Sequence, residues 1–381
     1  MGPLTVRGVA ALLATAGLLT ASLALAAPPF AYLALLFAAL LVLGVASQYL
    51  GRARGEVTRT VSTDLIRVGE SSEVWLRVRL RGRRFRYAQW RDALPPAVSG
   101  TAAGSLLRGA AAPGERGVIM LSYTLHGIRR GVHELGPLTL TSTDPFGLVV
   151  RRQTVGAVRE ITVVPSLVAL PRLRAARAAS EGRSSLRTHQ LGQGADNLSP
   201  RRYVPGDSRR RIHWRATAHR GALMVRQEEE EASPDAAIVL DLRAAAWASR
   251  ATPEGDAAFE QAVSLCASAA AQFVALGYTV AVTDSHGTAL AALSGHEDDV
   301  DELLVTLAGV TPGAGETVTL PRTTGPLLVC TGRMGESDAL RAAPHSGLPI
   351  VVAAQFLPGA REAFAQSGWA TQTLDEVVPD D

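Results

Sequence analysis

Ala236-Ala237-Ile238-Val239-Leu240-Asp241 is a short, wholly apolar run that ends on a carboxylate. Apolar on both faces rather than alternating, it predicts a strand inside a covered sheet. Downstream, helix and strand signals alternate. Thr252-Pro253 offers an N-cap and an N1 proline, and Phe259, Val263, Cys266, Ala270 and Phe273 then share one helical face, stopped by Gly277. Tyr278–Val282 predicts the next strand, Ser294–Glu297 a capping box opening a helix over Val300–Leu307, and Leu327–Cys330 and Ile350–Phe356 two more strands. Alternating units of this kind predict an α/β domain with a parallel sheet over residues 232–381.

Upstream the period changes to two. Val74, Leu76, Val78 and Leu80 alternate with Trp75, Arg77 and Arg79, so one face enters a core and the other meets solvent. Gly69–Ser72 predicts a turn before that strand, and Asp144-Pro145-Phe146-Gly147 another between later strands. With further strands at Val118–Leu125, Val132–Leu140 and Ile161–Val164, residues 55–165 are expected to form an Ig-like β-sandwich. Residues 166–200, rich in Arg, Ala, Ser and Gly without an apolar period, are expected to be a linker.

Residues 1–54 hold two uncharged runs, Val9–Ala27 and Phe30–Leu50, each long enough to span a hydrocarbon core of about 30 Å. Pro28-Pro29 between them predicts a tight turn, hence a transmembrane helical hairpin. Arg7 precedes the hairpin and Arg52, Arg54 and Arg59 follow it, which by the positive-inside rule leaves both ends and the soluble domains cytoplasmic. The competing reading makes residues 1–27 a signal peptide cut after Ala24-Leu25-Ala26. The second run would still tend to leave the rest of the chain inside.

Composition removes several chemistries. All 38 basic residues are Arg, so a Walker A loop, a pyridoxal Schiff base and a kinase-type strand lysine are excluded. Two cysteines, Cys266 and Cys330, make neither a disulfide framework nor a thiolate zinc site. Charge is uneven: residues 51–231 carry 31 Arg against 16 acids, residues 232–381 carry 6 against 19. A basic half and an acidic half point to two surfaces with different partners.

The densest pattern lies at 201–231. Arg201-Arg202-Tyr203-Val204-Pro205-Gly206-Asp207 joins a turn to a carboxylate, and Arg210 stands three residues on, placed for a bidentate pair with Asp207. Ile212-His213-Trp214, Thr217-Ala218-His219 and Val225-Arg226-Gln227-Glu228-Glu229 come next. Tyr203 and Trp214 are expected to pack beside the Asp207–Arg210 pair, which would clamp the turn onto the α/β domain. This run resembles the signature of the prokaryotic family known as domain of unknown function fifty-eight. The pattern is met at Arg201, Tyr203, Gly206, Asp207, Arg210, Ile212, Trp214, Thr217, Ala218, Val225, Arg226 and Glu229; His219 departs from it, where the family usually has Arg. Arg130-Gly131, Leu135-Gly136-Pro137 and Asp144–Leu148 extend the likeness upstream. The resemblance implies a membrane hairpin, a β-domain and a von Willebrand A-like α/β domain. It also implies work beside MoxR-type AAA+ ATPases and other membrane or von Willebrand A proteins, with no established catalytic activity.

A metal-binding von Willebrand A domain would show Asp-x-Ser-x-Ser after its first strand. Here that place reads Asp241-Leu242-Arg243-Ala244-Ala245, without either hydroxyl and with an arginine that repels a cation, so neither a metal nor a cofactor is expected. His213 and His219, six apart, do not share a helix face for a metal pair. Three function classes remain. The first is a membrane-anchored cytoplasmic scaffold that binds partner proteins. The second is a hydrolase using His213, Asp207 and Thr217. The third is a binder of anionic lipid or nucleic acid through the arginines; against nucleic acid, Glu228–Glu231 compensates much of the local charge. The first is the leading expectation.

Overall fold

The computed structural model describes residues 4–49, 55–63, 65–80, 88–108, 110–111, 117–171, 198–202, 214–228, 235–247, 256–341 and 346–378. It resolves into two units, Met1–Ser166 and Leu167–Asp381.

The first unit begins with α1 (Val6–Ala24) and α2 (Pro28–Tyr49). Thr5 caps α1 by accepting from the Gly8 N–H. The turn is Leu25–Ala27 rather than the proline pair; Pro28 and Pro29 are the first residues of α2, where a missing N–H costs nothing. Both helices are long and apolar enough to cross a membrane, and large side chains such as Leu13, Leu35 and Val42 are exposed along them.

Among the described residues of this unit, the strands after the hairpin are β1 (Gly55–Val61), β2 (Leu65–Arg67), β3 (Ser71–Leu80), β4 (Gln89–Asp92), β5 (Val98–Gly100), β6 (Ala103–Ser105), β7 (Ala110–Ala111), β8 (Val118–Gly127), β9 (Gly131–Leu135), β10 (Leu138–Thr143), β11 (Val150–Val155) and β12 (Arg159–Val164). They form an antiparallel sheet β1-β3-β8-β5 with β7 beside β8, a second sheet β11-β10-β4-β6, and a small sheet β2-β12-β9. The alternation predicted in β3 holds, since Val74, Leu76 and Val78 are fully buried while Trp75 on the other face is 36% exposed. They share one core with Trp90, Leu125, Leu138, Leu140 and Val163 from the other strands. The expected strand Val132–Leu140 divides into β9 and β10 at Gly136-Pro137, where Gly136 has φ +92° and a Cβ would run into the Arg59 guanidinium.

One buried polar cluster interrupts that core. Arg59 on β1 donates through Nε and Nη2 to both oxygens of Asp92 on β4, at 3.0 and 2.7 Å, and Tyr123 on β8 donates its hydroxyl to Asp92 Oδ2 at 2.7 Å. The Arg59 backbone carbonyl accepts from Arg159, and Arg59 Nη1 reaches the Ala157 carbonyl. Burial, then the hydrogen bond to Asp92, pushes the Tyr123 phenol far above its ordinary range.

In the second unit β13 (Leu198–Arg202) pairs antiparallel with β14 (Met224–Glu228), and α3 (Trp214–Arg220) precedes β14. The main sheet contains β15 (Asp235–Leu240), β16 (Thr279–Asp284), β17 (Ala289–Leu293), β18 (Pro326–Met334), β19 (Leu348–Phe356) and β20 (Ala370–Thr373), in the order β17-β16-β15-β18-β19-β20. Every neighbouring pair is parallel except β16–β17. The helices are α4 (Ala257–Ala275), α5 (Glu297–Ala308), α6 (Glu336–Arg341), α7 (Ala360–Gln366) and α8 (Leu374–Val377).

The predicted helical face of α4 is buried from Phe259 to Phe273, and Gly277 ends it with φ +84°. Its start differs: Asp256 is the N-cap, accepting from the Ala258 and Phe259 N–H groups, while Thr252-Pro253 lie outside the described residues. A carboxylate immediately before the apolar run serves two N–H groups, and it also suits the positive end of the helix. At α5 the capping partner is Asp299 rather than Glu297. It accepts from Ser294 N–H and Oγ and from the His296 N–H, and these bonds, the Ser294 N–H foremost, hold its carboxyl below the usual range. Cys266 and Cys330 are free and buried; burial pushes the Cys266 thiol up to about 12 and Cys330 well above its ordinary value.

Candidate functional site

In a doubly wound sheet, ligands sit outside the carboxyl ends of the strands where the strand order reverses. Numbered within its own sheet, the order here is 3-2-1-4-5-6, so that point lies between β15 and β18. Asp241 leaves the end of β15, Ser285 the end of β16, and Thr331 occupies the register step on β18 beyond Cys330, the partner of Leu240. The parallel register therefore delivers a carboxylate and two hydroxyls to one place.

The carboxylate is fully engaged by the chain itself. Asp241 is completely buried; its Oδ1 accepts from the Arg243 backbone N–H at 3.0 Å and from Arg243 Nε at 2.9 Å. Its Oδ2 accepts from Arg243 Nη2 at 2.7 Å and from Thr331 Oγ1, also at 2.7 Å. The remaining arm of the guanidinium, Nη1, donates to the Glu316 carbonyl. The hydrogen bond with Asp241 holds the Arg243 guanidinium above even its ordinary pKa, against the opposing effect of burial. Ser285 Oγ is not free either, since it accepts from the Leu242 N–H at 3.3 Å.

The chain after Asp241 folds back over this point. Trp247 donates its indole N–H to the Asp241 carbonyl at 2.9 Å, and its ring meets Phe259 edge-on. Gly332 on β18 lies so close that a Cβ there would stand 2.0 Å from the Ala246 carbonyl oxygen. Backbone thus packs on backbone, and the crevice is filled by residues 243–247.

A divalent cation does not fit. It would have to displace a guanidinium that already satisfies both carboxylate oxygens, and positions 243 and 245 offer no hydroxyl in exchange. Among the described residues no group of three or more His, Cys, Asp or Glu could hold a metal ion. Arg243, expected from the sequence to repel a cation, bonds both oxygens of Asp241. A small cavity of about 60 Å³ lies further along the sheet, lined by Leu320, Val329, Met334, Val351, Phe364 and Trp369, with Asp338 also in its wall. It is smaller than the roughly 300 Å³ at the lower end of ligand pockets.

Of the signature residues, Tyr203, Gly206, Asp207, Arg210, Ile212, His213 and Glu229 lie outside the described residues, and with them the Asp207–Arg210 pair. The backbone of the flanking parts is described. Arg201 pairs with Val225, Arg202 with Met224, and Pro200 with Arg226, so the two ends of the motif are joined as one antiparallel ladder. Thr217 Oγ1 accepts from the Met224 N–H at 3.0 Å, tying α3 to the start of β14. Trp214 is 68% exposed and His219 is exposed, while the Asp207–Arg210 pair beside which Trp214 is expected to pack lies outside the described residues.

Reading the sequence left out Ser285, Thr331 and Trp247. The signal for them was modest: Thr331 follows an apolar strand core as Asp241 follows another. No curated protein matches the chain. Residues 199–354, which run from the signature ladder through most of the main sheet, match the model of the family described as protein of unknown function DUF58.

Proposed function

We propose that this protein is a membrane-anchored cytoplasmic scaffold that binds partner proteins through an Ig-like β unit and a von Willebrand A-like α/β unit. α1 and α2 supply the anchor. Arg7 before the hairpin and Arg52 and Arg54 after it favour a cytoplasmic position for both ends and for everything after the hairpin. The resemblance makes a MoxR-type AAA+ ATPase the leading partner.

The observation that carries this reading is the engagement of Asp241 by Arg243 and Thr331. Where a sheet of this order takes a small ligand or metal, the chain has placed its own ion pair, which favours a binding role for the surface over chemistry in the crevice. Trp214, exposed at the start of α3, is the type of residue that anchors protein interfaces.

Co-purification of the full chain from membranes tests the proposal. Trp214→Ala is expected to shift the melting temperature by no more than about 2 °C, as for a surface change, and to lower recovery of an AAA+ ATPase several-fold. Unchanged recovery would contradict the reading. So would a hydrolytic activity lost in His213→Ala or Asp207→Ala variants that melt normally.

A further inference from the structure

The turn Asp144-Pro145-Phe146-Gly147 joins β10 to β11, and in doing so it grips the hairpin. Leu4 forms a β-bridge with Val149, and the Thr5 N–H and hydroxyl bond the carbonyls of Leu148 (2.9 Å) and Gly147 (2.6 Å). A Cβ on Gly8 would stand 2.2 Å from the Leu148 carbonyl oxygen, and one on Gly44 would stand 3.2 Å from Asp144 Oδ2. Glycines at these two places let the loop touch both helix backbones. Ser142 donates to Gln48 Oε1 at 2.8 Å, and Arg151 donates to the Gln48 carbonyl.

The depth of this contact is what matters. Leu148 and Val149 share a buried cluster with Ala11 and Leu41, and Phe37 packs against it. At 1.5 Å per residue, Ala11 is about 8 Å along α1 from its start, and Leu41 about 12 Å along α2 from its end. The two helices are about 28 and 33 Å long, matching a hydrocarbon core of about 30 Å with little to spare. A loop seated that far along them cannot stand clear of the same membrane. The buried Asp144 carboxylate is turned back onto its own loop, one oxygen accepting from the Phe146 N–H and the other from the Val149 N–H. Phe146 at the tip is 50% exposed, and Arg7 lies beside Gly147, an aromatic next to an arginine at headgroup level.

We infer that the Asp144–Val149 loop is a third membrane contact of this chain, with Phe146 entering the boundary between phospholipid headgroups and acyl chains. The inference rests on the hairpin being membrane-spanning. It would fix the β unit against the bilayer surface.

Single cysteines at Phe146, Pro145, Leu35 and Val158, each labelled with an environment-sensitive fluorophore, test this in the full chain. The host is a vesicle of phosphatidylcholine and phosphatidylglycerol, with or without a nitroxide on the acyl chain. Leu35 is exposed on α2, and Val158 is exposed beyond the far end of β11. Cys266 and Cys330 are buried and give no competing label, which the unsubstituted chain checks. The expected result is a blue-shifted fluorophore at 146, and at 145, quenched by the nitroxide several-fold more than at 158 and comparably to 35. If 35 is quenched while 145 and 146 behave like 158, the loop inference is overturned and the anchor stands. If 35 itself is not quenched, both fall.

Discussion

Replacing Asp92 with Ala is expected to cost the β unit about 3 to 5 kcal/mol, the usual cost of stranding one partner of a buried ion pair. The side chains of Arg59 and Asp92 are 2% and 0% exposed, so water cannot take over the role of the lost carboxylate. Tyr123 would lose its acceptor at the same time. Against a total stability of about 5 to 15 kcal/mol this is a large share, read as a fall of roughly 6 to 20 °C in the transition of this unit. The paired change Arg59→Met with Asp92→Leu should recover most of the loss, because removing both charges removes the stranded one. A loss below about 1 kcal/mol in Asp92→Ala would place the pair in solvent and contradict the buried triad.

The second large effect is expected at the sheet end. Asp241→Ala leaves the Arg243 guanidinium without a partner, and Arg243→Ala leaves a completely buried carboxylate with Thr331 as its only remaining side-chain donor. The second should cost more. The Asp241 side chain is 0% exposed whereas that of Arg243 is 11% exposed and keeps some access to water. The double variant should cost less than the sum of the two, by about 0.5 to 3 kcal/mol of coupling. Denaturant melts of the four proteins measure this, and strict additivity would mean that the pair contributes nothing as a pair.

The parts of this fold that could be read in advance are those where one chain segment carries its own signal. β3 announces itself because its odd and even residues meet different surroundings, and α4 because Phe259 to Phe273 repeat at helical spacing. β17 escaped because Ala289-Leu290-Ala291-Ala292-Leu293 has neither alternation nor β-branched residues; it is a strand only because β16 offers it an edge. The triad of Arg59, Asp92 and Tyr123 escaped for a different reason: its members stand more than thirty positions apart, on three strands. The Asp241–Arg243 pair was closer to view. Residues two apart in extended chain share a face, so an acid and an arginine there can bond each other as well as repel or attract a third party. The turn at Asp144 was readable as a turn, yet its grip on Gly8 and Gly44 depends on helices about a hundred residues upstream. At the signature, the ladder from Arg201 to Val225 joins the two ends of a motif that sequence could show only as consecutive runs.

At the centre of this reading, the carboxylate of Asp241 is committed to Arg243 and Thr331, and it is expected to take no metal. Thermal melts of the full chain in detergent, in chelator and in millimolar Mg²⁺, test it most directly, because anything that binds only the native state raises its melting temperature. The same melting temperature is expected in both conditions. A rise of several degrees in Mg²⁺ that disappears in Asp241→Ala would contradict it.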